Sequence, residues 1–407
     1  MGKGDSGLTR RRFLSASAVG LASAGLMKLA PTGALAQPAD KKADKPAPEI
    51  IYRKFGGHDL ALPIVSMGIL GGVDPRLVQT SYEIGIRLID TSPYPLGGRE
   101  IMVGSVINRL KVREKVIIAT GTGFLSGRDD VTPTEARKVL MSGCEASLRR
   151  LGTDYIDILY YHDVSNAGGV HPETIVEGMR LLKQQGKIRY IGISTHARMA
   201  EVINEVTRVG FYDVIETAFN FTMADDAGLL TAVQNAAEKG IAVVAMKSQA
   251  GGSRWPNPQT RREYTAATIA GAALKWVMRN ENIATCVSGY TNYEHMEQNF
   301  SVAYDLEYTA EEKKFLSDNN VRLSMGFCRQ CHRCRAACPE GVDIPDLMRA
   351  HMYAAQYGDL YQARATLDAI GDKAGLGVCR SCSTCRAKCA HTVDIARRLD
   401  ELKTLYA

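Results

Sequence analysis

A parallel α/β barrel of eight strands followed by a small, mainly helical domain is what the sequence predicts, and three observations predict it. First, residues 52–317 alternate short apolar runs with helix-period segments, eight times in about 250 residues, which is the pattern of a (β/α)8 or TIM barrel. Second, the composition, 45% apolar in 407 residues, is enough for one large core with a small appendage. Third, the runs Cys328-Arg-Gln-Cys331-His-Arg-Cys334-Arg-Ala-Ala-Cys338 and Cys379-Arg-Ser-Cys382-Ser-Thr-Cys385-Arg-Ala-Lys-Cys389 each read C-x2-C-x2-C-x3-C. That spacing places three thiolates on three corners of one four-iron cubane and sends the fourth to the neighbouring cluster. The C-terminal domain is therefore expected to be ferredoxin-like, with two [4Fe-4S] clusters. Cys328, Cys331, Cys334 and Cys389 are expected on one cluster, and Cys379, Cys382, Cys385 and Cys338 on the other.

Other cysteine chemistries fit less well. Structural zinc takes its ligands as two separated pairs, whereas each run here supplies four by itself. Cys328-x-x-Cys331-His332 matches a c-type haem attachment, but that reading leaves Cys334 and Cys338 unused, and Ser383 stands where the second run would need a histidine. His332 is then expected on a surface loop.

In chain order, residues 1–36 read as a twin-arginine signal peptide. Thr9-Arg10-Arg11-Arg12-Phe13-Leu14 is followed by an alanine-rich apolar stretch and by Ala34-Leu35-Ala36, a small-x-small cleavage signal. That route exports folded proteins, so clusters inserted in the cytoplasm reach the periplasm intact, and no stable membrane span is expected in the mature chain. The formal net charge is +6; Lys3, Arg10, Arg11, Arg12 and Lys28 against Asp5 remove four of those charges with the leader and leave +2. A near-neutral chain gives no nucleic-acid footprint. Residues 37–49, rich in Pro, Ala, Lys and Asp, read as a flexible linker.

The barrel is expected over residues 50–318, with strands at 64–69, 87–90, 116–120, 156–162, 190–194, 214–220, 241–247 and 285–288. Among its helices, 134–151 is opened by Thr132-Pro133-Thr134 and carries Val139, Leu140 and Leu148, and 224–239 is closed by Gly240. Cys144 in that first helix and Cys286 in the last strand read as buried structural thiols. The cluster domain, 319–407, begins at a polar junction near Asn319-Asn320 that suits a hinge or a tight turn, and holds a helical stretch over 344–367. Arg329, Arg333, Arg335, Arg380, Arg386 and Lys388 are interleaved with the ligands, where cations offset cluster charge and raise reduction potentials.

In such a barrel chemistry gathers at the C-terminal ends of the strands, which gives Asp90, Thr120-Gly121, His162, Ser194, Asn220, Lys247 and Ser288. Gly85-Ile-Arg-Leu-Ile-Asp90-Thr91 with Tyr94, Gly97 and Glu100, Ser147 through Asp157 with His162, and Gly186 through Ser194 resemble the aldo-keto reductase family. The resemblance implies Asp, Tyr, Lys and His around a substrate carbonyl, with hydride from a nicotinamide and a proton from the tyrosine. Asp90 and His162 match. Tyr94 matches if one residue is deleted after Asp90, a step that Glu100 and Gly104 share. The family's lysine falls on Gly121. Without that ammonium Tyr94 keeps a pKa near the ordinary value of about 10 and is a weaker acid; Lys247 is a candidate replacement.

For the cofactor, the resemblance implies NADP(H), with Asn299 as a contact, Lys247 as a phosphate contact or a structural residue, and Ser194, Asn220 and Ser288 as either contacts or ordinary turn-formers at strand ends. The positions that would hold its 2′-phosphate are Gly289 and His295, and their loss argues against it, as does an exported location. His196 reads as a cap for the helix after it in preference to a pocket residue, and Trp255 as a shield or plug at the barrel mouth. Two functions follow. One is an exported oxidoreductase acting on a carbonyl, alcohol or sugar-like substrate through Asp90, Tyr94 and His162, its clusters exchanging electrons with a redox partner protein. The other is a barrel that has lost turnover and serves as an electron-transfer subunit docked on a partner enzyme. The retained trio favours the first, and the lost lysine and phosphate clamp favour the second.

Overall fold

The computed structural model describes residues 49–69, 73–93, 97–122, 132–171, 173–251, 258–371, 373–379, 382 and 384–406. The leader and all but the last residue of the linker, with Tyr94, Trp255, Arg380 and Ser383, lie outside the described residues. Residues Ile50–Ala407 form one compact unit that includes both barrel and cysteine-bearing segment. Among the described residues no helix is long and apolar enough to cross a membrane.

The chain opens on a hairpin that the sequence reading did not anticipate, β1 (Tyr52–Lys54) paired antiparallel with β2 (Ala61–Pro63). Runs this short carry no periodicity to detect. Its turn docks on the opposite side of the barrel floor, where Gly57 N–H donates to the Gly240 carbonyl at 2.7 Å. Phe55 and Leu62 join the bottom of the core.

The eight expected barrel strands all form: β3 (Val65–Gly68), β4 (Leu88–Asp90), β5 (Ile117–Thr122), β6 (Ile156–Tyr161), β7 (Ile188–Thr195), β8 (Val214–Ala218), β9 (Ala242–Met246) and β10 (Thr285–Ser288). They are parallel and closed, β10 pairing with both β3 and β9. Side chains alternate between barrel interior and helical layer. Leu88, Ala119, Tyr160, Val214 and Val244 fill the interior. Tyr160 fits because Gly192 faces it, where a Cβ would lie 2.4 Å from the ring.

Helices α1 (Pro75–Ile84), α2 (Gly98–Leu110), α3 (Pro133–Leu151), α4 (Glu173–Gln184), α5 (Met199–Val209), α6 (Ala227–Glu238), α7 (Pro258–Glu263), α8 (Ala266–Met278) and α9 (Tyr293–Ser301) follow the strands. The predicted start of α3 is a full capping box, Thr132 with Glu135. Leu140 is buried, but Val139 faces solvent. Helix α6 begins three residues later than predicted, because 221–223 form a 3-10 turn and Asp226 caps the helix through its carboxylate. Cys144 and Cys286 are fully buried and burial pushes both thiols up to about 12, as expected of structural cysteines.

The junction is a shared cap. Helix α10 (Ala310–Ser317) ends at Asp318, whose carboxylate accepts from Asn320 N–H at 2.8 Å and opens α11 (Asn319–Met325). The anticipated long helix of the cluster domain is split. Helix α12 (Ile344–His351) runs into a π-helical turn, Met352–Tyr357, stops at Gly358 (φ 67°), and restarts as α13 (Leu360–Ile370). Helices α14 (Leu376–Cys379) and α15 (Ile395–Leu405) complete the segment. Its core gathers Val342, Ile344, Leu347, Leu399 and Leu402 with most of the cluster-motif cysteines.

Candidate active site and cluster domain

Two residues beyond most inward apolar residues, the strands place polar ones. Leu88 leads to Asp90, Tyr160 to His162 and Val214 to Glu216, whereas Ala119 leads to Gly121 and Val244 to Met246, so three of these five positions above the apolar core carry titratable groups. This layer floors a cavity of about 550 Å³. The roof is not barrel. Arg349, Tyr353, Gln356 and Tyr357 from α12 and the π turn, with Thr366 and Asp368 from α13, close the other side.

The position of the family's lysine is sterically taken. A Cβ on Gly121 would lie 1.8 Å from His162 Cδ2 and 2.0 Å from its Nε2. The imidazole is fixed by a 2.7 Å hydrogen bond between His162 Nδ1 and Ser194 Oγ, and it stacks over Tyr160 with ring centroids 6.1 Å apart. Burial lowers its pKa, against the charges of Glu216 and Asp163, so the neutral ring is favoured.

Asp90 has an unexpected partner. Burial, the charge of Glu216 and a hydrogen bond with Glu216 raise Asp90 well above the carboxylate range, with Lys247 opposing. The protonated form of Asp90 is thereby favoured beside Glu216. Glu216 is 5% exposed. The alternation of Val214, Glu216 and Ala218 within an apolar strand is the signal that could have found it.

Lys247 follows β9 in the left-handed region, φ 54°. Its ammonium lies 4.8 Å from the Tyr353 ring centroid, 5.3 Å from that of Tyr357, and 3.4 Å from the Tyr353 hydroxyl. Burial works against its charge, but those tyrosines and Glu216 outweigh burial and raise its pKa. Asp163, also left-handed at φ 61°, receives the Arg349 guanidinium at 2.5 Å. Burial opposes its charge too, yet Arg349, followed by His196, holds Asp163 at about 2. A second pair, Arg99 to Asp359 at 2.6 Å with both side chains under a tenth exposed, ties α2 to the start of α13. Arg329, expected to attend the clusters, instead reaches Asp225 at 2.8 Å and the Thr222 carbonyl.

Of the residues assigned to a nicotinamide, only Lys247 lines the cavity. Ser194 is bonded to His162. Asn220 accepts from Thr222 and donates to the Lys247 carbonyl. Ser288 donates to the Ser66 carbonyl at 3.3 Å, and Asn299 accepts from Gln249 at 2.8 Å. The structure does not bring these four to the wall. Gly289 and His295 do line it. His196 is a correction: it faces the cavity, burial and Lys247 lower its pKa well below the ordinary value, and the residue at the N-cap of α5 is Arg198.

The cysteines have close electrostatic neighbours among themselves. Cys328 has Cys389 and Cys334 as electrostatic neighbours, and Cys334 has Cys331 and Cys389. Cys379 has Cys385, Cys382 and Cys338. Among the described residues no three potential ligands converge as a single ion requires, and a cubane, whose irons occupy separate corners, holds its thiolates farther apart. Helix α15 adds two cations that the sequence reading missed, Arg398 beside Cys328 and Cys389, and Lys403 beside Cys379. His332 is half-buried, with both ring nitrogens buried and unpartnered, and so is not the surface residue expected.

A small void links the two regions. His196, Lys247, Arg349 and Gln356 share its wall with Cys328 and Arg398.

Comparison with known proteins agrees with this division. Residues 75–265 match the Aldo/keto reductase family and residues 327–394 a 4Fe-4S dicluster domain. L-galactose dehydrogenase of Arabidopsis thaliana is 29% identical over 266 residues, 59% of this chain and 81% of the relative. The NADH-specific methylglyoxal reductase of Escherichia coli K12 is 27% identical over 265 residues, 54% of this chain and 79% of the relative. A solved aldo-keto reductase of Bacillus halodurans in its holo form superposes with a TM-score of 0.54 at 24% identity, over 66% of this chain and 95% of that one, a likeness of fold. With its barrel, its polar strand ends and its two cysteine groups, the chain carries an aldo/keto reductase domain joined to a 4Fe-4S dicluster domain, and is an iron-sulfur oxidoreductase.

Proposed function

We propose that the protein interconverts an alcohol and a carbonyl on a small, sugar-like substrate in the barrel cavity and exchanges the electrons with a redox partner through two [4Fe-4S] clusters, in the periplasm after twin-arginine export. The observation that carries this reading is the shared wall: Cys328, in the first cluster motif, borders the same void as His196 and Lys247 of the substrate cavity. The names of the relatives, one a sugar dehydrogenase and one a reductase of a small dicarbonyl, support the substrate class.

When bound, the clusters supply one-electron transfer, so the carbinol C–H hydrogen would leave as hydride to a two-electron acceptor of the nicotinamide class, whose two electrons the clusters would take singly. Cys328, Cys331, Cys334 and Cys389 would hold one and Cys379, Cys382, Cys385 and Cys338 the other. The remaining chemistry belongs to protons and position. His162, kept neutral by burial and oriented by Ser194, donates or accepts at the substrate oxygen. Asp90, raised by burial and Glu216, keeps a proton beneath it. Lys247 stabilises negative charge that develops on that oxygen. Tyr94, which the family resemblance makes the proton donor, retains that assignment as part of the proposal.

The test is direct. Anaerobic, oxidised protein is mixed with L-galactose, D-galactose or glycerol, and cluster absorbance is followed with and without added NADP or NAD. Bleaching that depends on nicotinamide is expected. Clusters that stay oxidised in every mixture would transfer the assignment to an electron-transfer subunit docked on another enzyme.

A further inference from the structure

The π turn Met352–Tyr357 places Tyr353, Gln356 and Tyr357 on the cavity wall. Such turns interrupt helical hydrogen bonding at a cost and are frequent at functional sites. Gln356 stands out within it. Its side chain is 2% exposed, yet neither Nε2 nor Oε1 has a hydrogen-bond partner. An unmatched buried polar group is destabilising, and a carboxamide has two such atoms. Arg349 Nε, one turn before, is likewise buried without a partner.

From this geometry we infer that Gln356 is a specificity-determining residue whose carboxamide receives adjacent hydroxyl groups of a neutral polyol or sugar. The inference rests on the proposed substrate site and names its ligand chemistry. One Nε2 hydrogen needs an acceptor and Oε1 needs a donor at its side. Vicinal hydroxyls provide both, whereas a carboxylate or phosphate provides acceptors alone. The rest of the wall agrees. Asp90, Glu216, Asp163, Asp368 and Gln362 supply acceptors for further hydroxyls, the cations Arg99 and Arg349 are already paired with carboxylates, and Lys247 lies over the rings of Tyr353 and Tyr357. Because the residue comes from the cluster-bearing segment, the barrel alone is an incomplete recognition site.

The experiment uses the full, anaerobically prepared holoprotein and measures calorimetric binding of L-galactose, D-galactose, glycerol and galacturonate, with thermal unfolding in parallel. For Gln356→Leu the expected result is sugar binding weakened about 5- to 150-fold, the equivalent of two lost hydrogen bonds, with cluster content retained and a melting temperature equal to or above wild type, since an unmatched amide has been removed. Gln356→Glu keeps the shape and exchanges the donor for an acceptor; it should weaken neutral sugars comparably. Equal affinity in the glutamate variant would overturn the inference, as would a lower melting temperature for the leucine variant with unchanged affinity. Wild type that binds galacturonate and no neutral sugar tighter than about 1 mM also overturns it. Tight, Gln356-dependent sugar binding with clusters that never bleach sustains the inference while removing the redox reading above.

Discussion

His162 occupies the space that a side chain on Gly121 would need: its Cδ2 stands 1.8 Å, and its Nε2 2.0 Å, from where that Cβ would be. Gly121 stands where the resemblance places a lysine, and at this position room for a side chain is exchanged for room for the ring. The imidazole is held there by Ser194 at 2.7 Å. Beside the neutral ring, burial and Glu216 raise the Asp90 carboxyl well above the carboxylate range.

Restoring a side chain at 121 should therefore damage the site. Gly121→Ala forces the imidazole aside; overpacking of this kind costs about 1–3 kcal/mol, and loss of a positioned acid-base group costs about 100-fold or more in kcat. Gly121→Lys should do no better, because the ammonium and the ring compete for one volume. Steady-state kinetics and thermal unfolding check this. Full activity in Gly121→Lys would show that the ring yields freely and that the exchange has no functional weight.

Glu216 governs the pH dependence. Asp90 binds its proton more tightly in the folded protein than in the unfolded chain, so its contribution to stability is complete below about pH 4 and is lost as pH rises through the folded value. The native state holds more protons in that window, and each pH unit costs up to about 1.4 kcal/mol per proton. Glu216→Gln removes the like charge while keeping a hydrogen-bonding group. The variant's melting temperature should fall less than that of wild type between pH 5 and pH 8, and its kcat should drop about 100-fold as Asp90 loses its proton more readily. Parallel melting curves for the two proteins would sink the idea that Glu216 raises Asp90.

Much of this was legible in the sequence, and the boundary has a physical basis. Barrel strands could be read because each is an apolar run fixed by local pattern, and the cysteine sets because thiolate spacing is dictated by the cubane. Asp90 and His162 were found at strand ends. Glu216 was missed although strand alternation points it inward with Val214 and Ala218. Arg349, Gln356 and Tyr353 were out of reach, since nothing local in α12 or the π turn says that this segment returns over the barrel mouth. That return is decided by long-range pairs, Arg349 with Asp163 and Arg99 with Asp359, which join residues 186 and 260 positions apart. The split of the long helix at Gly358 was visible as a glycine, but the π turn before it was not, because the chain from 352 to 357 has no residue that by itself forbids α-helix.

The exchange of fourth ligands gives the sharpest test of the cluster domain. Cys389 belongs to the second run by sequence, but its neighbours are Cys328 and Cys334 of the first; Cys338 belongs to the first run and neighbours Cys379. Cys389→Ser should therefore damage the cluster nearest the substrate cavity, the one that Cys328 brings to the shared void, and Cys338→Ser the distant one. Each variant should lower iron from about eight to about four atoms per chain and abolish the magnetic splitting between two reduced clusters. Substrate-dependent bleaching should vanish in Cys389→Ser and persist at reduced amplitude in Cys338→Ser. Combination separates the pairing from general fragility. Cys328→Ser with Cys389→Ser acts on one cluster and should cost no more iron than either change alone, whereas Cys328→Ser with Cys338→Ser acts on both and should leave almost none. If that order is reversed, each run holds its own four ligands and the crossed arrangement is wrong.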